Sequence, residues 1–242
     1  MDGAREDRLT KAFVALADTL VDDYDVVELM HGLVEHSVAV LDAAAAGLLL
    51  ADPADRLTVM AASSERARLI EVIQIQAHEG PCLDAYVSGA PIVVEDLTEE
   101  AGRWPRFAAA AQSEGYRSVA ALPMRLRTDT IGALNLFRSE PGVFPTEDLA
   151  VGQALADVAT IGILQERAVR RSEVLAQQLQ AALDSRVVIE QAKGVLAERL
   201  QIGVDEAFAH LRAYARSANE HLVWVARALV EGRLDEGTVA TR

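Results

Sequence analysis

Apolar side chains recur at helical spacing over residues 8–20 (Leu9, Phe13, Leu16, Leu20) and 25–41 (Val26, Leu29, Leu33, Val40), which predicts two opening helices. The period then changes. Two apolar runs, 46–51 and 57–62, flank Asp52-Pro53-Ala54-Asp55 and predict a β-hairpin. Helical spacing returns over 66–76, and Gly80-Pro81-Cys82-Leu83-Asp84 opens another short helix. A turn at Gly89-Ala90-Pro91 leads into a strand over 92–94, then a helix over 104–114 that stops at Gly115. Strands over 118–126 and 130–137 surround Arg127-Thr128-Asp129. Helices, a meandering antiparallel sheet and further helix make an α+β chain rather than a regular βαβ alternation.

Thr146 stands as an N-cap ahead of Glu147 and Asp148, and no proline interrupts the chain from there to Leu200. One long helix is predicted. Ile161, Ala168, Leu175, Ala182 and Ile189 recur along it every seven residues. The companion column, Val158, Gln165, Ser172, Leu179 and Arg186, is mixed, so the seam is a weak coiled coil able to join two chains in parallel. A homodimer is expected, although the first half of the seam also has the chain's own sheet to pack on.

Toward the C-terminus three short amphipathic helices enclose one small core. On a wheel of about 100° per residue, Val188, Ala192, Val195 and Leu196 form one stripe. Arg186, Glu190, Lys193 and Ala197 fall on the opposite side. In the next helix Val204, Ala207, Phe208, Leu211 and Ala215 face inward, with Arg212 and Arg216 a turn apart on the flank. In the last, Leu222, Val225, Ala226 and Leu229 face inward, Asn219 is the expected N-cap, and Trp224 projects outward.

Charge bears on what this module could bind. The chain carries a net −14, but residues 173–242 hold 8 basic and 10 acidic side chains, so the acidity belongs to the N-terminal part. Nucleic-acid binding therefore needs a local basic patch. Lys193 is one of only two lysines, the other being Lys11. No apolar run approaches the ~20 residues of a membrane span, and the polar N-terminus lacks a signal segment, so a cytoplasmic protein is expected. The single cysteine, Cys82, has no partner for a disulfide, and with His78 offers too few ligands for a metal. No phosphate loop or nucleophile–base spacing is present, which argues against an enzyme.

Gln191-Ala192-Lys193-Gly194, followed by Asp205-Glu206-Ala207-Phe208, resembles the ANTAR domain, a three-helix RNA-binding module of transcription antiterminators. The strings Glu79-Gly80-Pro81-Cys82-Leu83-Asp84-Ala85-Tyr86, Arg103-Trp104-Pro105-Arg106-Phe107 and Ile131-Gly132-Ala133-Leu134-Asn135-Leu136-Phe137 resemble the GAF domains that precede ANTAR domains. The resemblance implies a GAF sensor over 8–163, with a central antiparallel sheet and helices on one side. A connecting helix over 164–183 and an ANTAR domain over 184–234 follow. It also implies binding of paired hairpins in nascent transcripts through Arg186, Glu190, Lys193, Gly194, Ala197, Arg212, Arg216 and Asn219. Met60, Cys82, Tyr86, Phe107, Tyr116, Met124 and Asn135 are candidates to line a GAF cavity for an unidentified small molecule; packing as plain core is the competing expectation.

The chain departs from the ANTAR pattern where Glu220-His221 replace a basic pair and Val223-Trp224 a polar pair. Gly203 also replaces a capping Ser. An outward Trp224 stacks on RNA bases, docks on protein or is covered by the long helix; protein contact is the preferred expectation. Two rivals stay open: a DNA-binding regulator, and a sensor or interaction protein with a decayed output domain.

Overall fold

The computed structural model describes residues 2–18 and 25–240, so Leu20 of the first predicted helix lies outside the described residues. The chain divides into two compact units, Met1–Arg167 and Ala168–Arg242. The first contains helices α1 (Asp2–Asp18) and α2 (Val26–Val40), strands β1 (Ala45–Ala51) and β2 (Leu57–Ala62), and helices α3 (Glu65–Ala77) and α4 (Pro81–Ser88). Strand β3 (Ile92–Val94), helix α5 (Pro105–Ser113), and strands β4 (Ser118–Leu126) and β5 (Asp129–Arg138) follow. Helix α6 runs from Thr146 to Leu200 across the boundary of the units. Among the described residues no helix is long and apolar enough to cross a membrane.

The five strands are ordered β2-β1-β5-β4-β3, every neighbouring pair antiparallel. Side chains alternate across them with period two. Leu134 and Leu136 share one face with Leu48, Leu122 and Met124, against α2 (Leu29, Leu33) and α6 (Leu155, Ala159). On the other face Phe137 and Val119 meet Ile70 of α3 and Phe107 of α5, while Ala133 and Ala121 meet Cys82 and Ala85 of α4. Helices therefore cover both faces, not one. The reason is that β1 is buried throughout, and β5 from Ile131 to Phe137, leaving neither face fit for water. Thr146 is also one residue inside its helix: the Pro145 carbonyl accepts from the Leu149 N–H at 3.0 Å, which makes Pro145 the cap position.

One buried carboxyl ties three elements of this unit together. Glu71 on α3 is fully buried, and Asn135 Nδ2 of β5 donates to both of its oxygens at 2.7 and 2.8 Å. Gln74 Nε2 donates to it as well, while Gln74 Oε1 accepts from the Cys82 N–H of α4 at 3.2 Å. Gly47 makes room for it, since a Cβ there would lie 2.1 Å from Glu71 Oε1. Among the described residues no cation pairs with the carboxyl, and burial pushes its pKa up to about 8, against the pull of its amide donors. Asn135 Oδ1 meanwhile has no donor. A protonated Glu71 avoids a buried negative charge while its Oε2 still accepts from both amides.

The folded pKa lies above the model value of 4.5, so this group favours the fold fully below 4.5 and loses that contribution as pH rises through about 8. Across the window the loss is about 1.4 kcal/mol per pH unit. Thermal melts of Glu71→Gln are therefore expected to lack a decline between pH 5 and 8.5 that the parent shows. Parallel melting curves for the two proteins would exclude the protonated carboxyl.

The second unit packs Ala192 and Leu196 of α6 against α7 (Val204–Ala218) and α8 (Leu222–Val230). Ala207, Leu211 and Ala215 come from α7, and Val225, Ala226 and Leu229 from α8. A fourth short helix, α9 (Glu236–Ala240), adds the buried Val239, so this core extends past residue 234. Three expectations are corrected here. Val204 is exposed at the start of α7, where the helix has only just begun to approach the core. Ala197 packs against the core rather than facing away from it, being one residue on from Leu196. Asn219 closes α7 in the left-handed conformation (φ 54°), its N–H bonded to the carbonyls of Ala215 and Arg216, while His221 takes the cap position of α8.

Candidate nucleic-acid interface

Within the second unit the basic residues gather around an aromatic ring. Phe208 was expected to face the core; instead it is half-buried with cations on it. Lys193 Nζ lies 5.2 Å from its centroid and the Arg212 guanidinium carbon 4.6 Å. Both fall within the ~6 Å range of a cation–π contact. Lys193 reaches the ring from α6, whereas Arg212 comes from one turn further along α7. Glu190 accepts from Lys193 Nζ at 2.9 and 3.0 Å, so the ammonium is held from two sides and its side chain is only 14% exposed. Lys193 is therefore a largely covered, positioned cation rather than a free surface charge.

Arg212 and Arg216 then wall a cleft of about 650 Å³ with Asn219, Glu220 and His221. The left-handed Asn219 makes this cleft, because it turns the chain sharply from α7 into α8. Arg216 stands in the last turn of α7, where the helix dipole favours a cation. Arg186 is exposed on α6 two turns before Lys193, on the same side of the helix. Gly194 is exposed, and a Cβ there would meet nothing within 4 Å, so helix packing in this chain does not call for glycine. Of the expected residues, Lys193 and Arg212 meet at Phe208, and Arg212, Arg216 and Asn219 share the cleft. Ala197 stays with the core.

Phe208 and His221 were not among the expected site residues. For Phe208 a signal existed: Arg212 follows it by four, the spacing that sets one side chain over another on a helix. For His221 none did, since the cap position depended on where Asn219 ended the preceding helix. Trp224 does face outward, at 62% exposure, with the His221 ring 5.2 Å away at 72°.

In the first unit the seven proposed cavity residues do not surround one space. Met60 and Met124 belong to the core beneath α2 and α6, on one face of the sheet. Phe107 and Tyr116 lie on the other face, as does Cys82, and Asn135 is engaged with Glu71. Burial first, and then the Glu71 charge, raise the Cys82 thiol well above its ordinary value, which makes it a poor nucleophile. A cleft of about 710 Å³ opens between the β1–β2 turn and α4, with Ile75, His78 and Leu83 on its walls. Tyr86 alone of the seven lines it. Its hydroxyl donates to Asp55, and burial, with that carboxylate's bond and charge, pushes its pKa up to about 12. Among the described residues no three His, Cys, Asp or Glu side chains are placed to hold a metal.

The ANTAR domain model matches residues 177–230 and the GAF domain model residues 23–164. No curated protein matches the chain. Among solved structures, the GAF domain of an Acinetobacter phosphoenolpyruvate-protein phosphotransferase is 16% identical, with a TM-score of 0.56 over 70% of this chain and 98% of that one. Free methionine-R-sulfoxide reductase from Neisseria meningitidis, solved with its substrate, is 17% identical, with a TM-score of 0.51 over 68% of this chain and 91% of that one. At such identities the likeness is one of fold. The GAF model spans more than half of the chain and the ANTAR model covers the end of α6, α7 and α8: the chain belongs to the GAF family and carries an ANTAR domain, a regulator with a sensor and an RNA-binding module.

Proposed function

We propose that this chain is a signal-responsive transcription antitermination regulator of the cytoplasm, which acts without catalysis. Its ANTAR domain grips paired hairpins in nascent RNA, and its GAF domain biases that grip in response to a signal. The observation that carries this reading is the convergence of Lys193 and Arg212 on the Phe208 ring, with Arg216 on the adjoining cleft. Cations held in place by an aromatic ring and a carboxylate lose less freedom on meeting a phosphate than free side chains would. They sit, moreover, in the near-neutral part of an acidic chain, where the local patch decides the sign of the field.

Pairing of two chains along α6 belongs to the same reading. Residues 167–184 are exposed all round in the single chain, and Leu175, Leu179 and Leu183 are each more than half exposed. A helical stretch this long with no packing of its own gains most from a second copy laid along the Ile161, Ala168, Leu175 and Ala182 column. Two copies present two RNA surfaces, so a transcript with two hairpins binds by effective concentration.

Competition between a two-hairpin RNA and duplex DNA for the full chain tests the central claim. The RNA is expected to win at equal phosphate concentration; preference for the duplex would make this a DNA regulator, and binding of neither would leave a protein-interaction module.

Lys193→Ala is expected to weaken hairpin binding and to make the slope of log K against log salt shallower by about 0.7–0.9, one phosphate contact. Because the ammonium also rests on Phe208, the variant should lose up to about 1 kcal/mol of stability. Unchanged affinity and slope would remove Lys193 from the interface.

Leu175→Glu puts a charge into the seam while leaving the Phe208 cluster untouched. Two-hairpin RNA should then lose its cooperative advantage, and single-hairpin affinity should hold. Equal losses on both RNAs, together with a monomeric parent in light scattering, would leave a monomeric binder.

A further inference from the structure

We propose that Trp224 is a stacking platform for one unpaired base of the bound RNA, with the adjoining phosphate taken by Arg212 and Arg216; this rests on the RNA-binding reading above. Helix α8 buries Val225, Ala226 and Leu229 yet leaves its largest side chain in water. Its own fold therefore gives the indole no work.

The ring is nonetheless positioned. His221 stands at the helix cap, but its side chain makes no capping hydrogen bond. The imidazole lies against the indole instead, nearly perpendicular to it, an arrangement favoured between aromatic rings. The same His221 lines the cleft of Arg212, Arg216, Asn219 and Glu220. A π-face and a cationic cleft thus share a residue. Among the described residues no carboxylate pairs with Arg212 or Arg216, which leaves both guanidinium groups open to an anion.

Stacking surface beside phosphate-seeking cations is what a nucleotide with an exposed base requires. Glu220 on the same cleft repels a phosphate, but its carboxylate can accept from a base amino group, whose two N–H bonds are both free once that base is unpaired. A protein-docking anchor would need apolar company. Around Trp224 the neighbours along α8 are instead exposed Arg227 and the small, half-buried Ala228 one turn on, with exposed His221 at the cap one turn back. The adjoining Arg212 and Arg216 cleft is what favours a base with its phosphate as the occupant.

The chain's other tryptophan, Trp104, is buried in the first unit at 2% exposure, so quenching by RNA reads out Trp224. The full chain, Trp224→Phe and Trp224→Ala are titrated with a hairpin bearing an unpaired loop and with the same stem closed into an uninterrupted duplex. Affinity is followed by anisotropy of labelled RNA, stacking by tryptophan emission, and folding by circular dichroism. Loop RNA is expected to quench the parent. Trp224→Ala should bind it about 5- to 100-fold more weakly at an unchanged salt slope, with Trp224→Phe in between and duplex affinity unmoved.

Loop binding that neither quenches emission nor suffers in Trp224→Ala would overturn the platform and leave the RNA-binding reading intact. Failure of the parent to bind either RNA would overturn both. Equal loss on both RNAs, accompanied by loss of self-association, would make Trp224 a contact between protein chains and end the proposal.

Discussion

Strand β5 is buried on both sides from Ile131 to Phe137, and that double burial governs the first unit. A sheet whose central strand has no wet face needs two helical layers. One layer is α3, α4 and α5. The other is α2 with the beginning of α6, where Leu155, Ala156, Ala159 and Ile163 close the core. The helix that supplies Ala192 and Leu196 to the output core is thus an obligatory wall of the sensor core as well. A signal that changes the packing of that wall acts on the same element that bears Lys193.

The output unit is small and alanine-rich, and its core gives little room for large side chains. Phe208 lies outside that core's tight centre, and its ring becomes a seat for cations rather than a filler of space. Its partly desolvated face attracts an ammonium and a guanidinium more strongly than a fully solvated ring would. What began as a packing residue in the helical pattern thereby organises the electrostatics of the surface. Asn219 has a similar double part, ending α7 and shaping the cleft between the two arginines.

Most of this was legible in the chain. Period two and period 3.6 alternate clearly, and the strands, the long helix and the three output helices lie where those periods change. The GAF and ANTAR motifs named the two domains. What escaped was what periodicity does not encode. Which face of the sheet a strand residue takes depends on register, so Met124 and Asn135 looked like neighbours although they point to opposite layers. The αL turn at Asn219 depended on where α7 stopped, and an asparagine there fits either a C-cap or an N-cap. Glu71 was not singled out, since nothing in the sequence marks one glutamate among many as buried. The space it needs is left by Gly47, 24 residues earlier on another element.

The sharing of α6 also bears on how the protein is made. On the ribosome the strands of the sheet are complete by Arg138, yet their α2-side face lacks its second cover until residues through Ile163 have emerged. Until then the face of Leu122, Leu134 and Leu136 has only the α2 side of its cover, and is partly open. Domains fold largely as units during synthesis, and exposed apolar surface in that interval invites aggregation. The first stretch of α6 is therefore a closing step in the birth of the sensor, and it precedes the second unit in the order of synthesis.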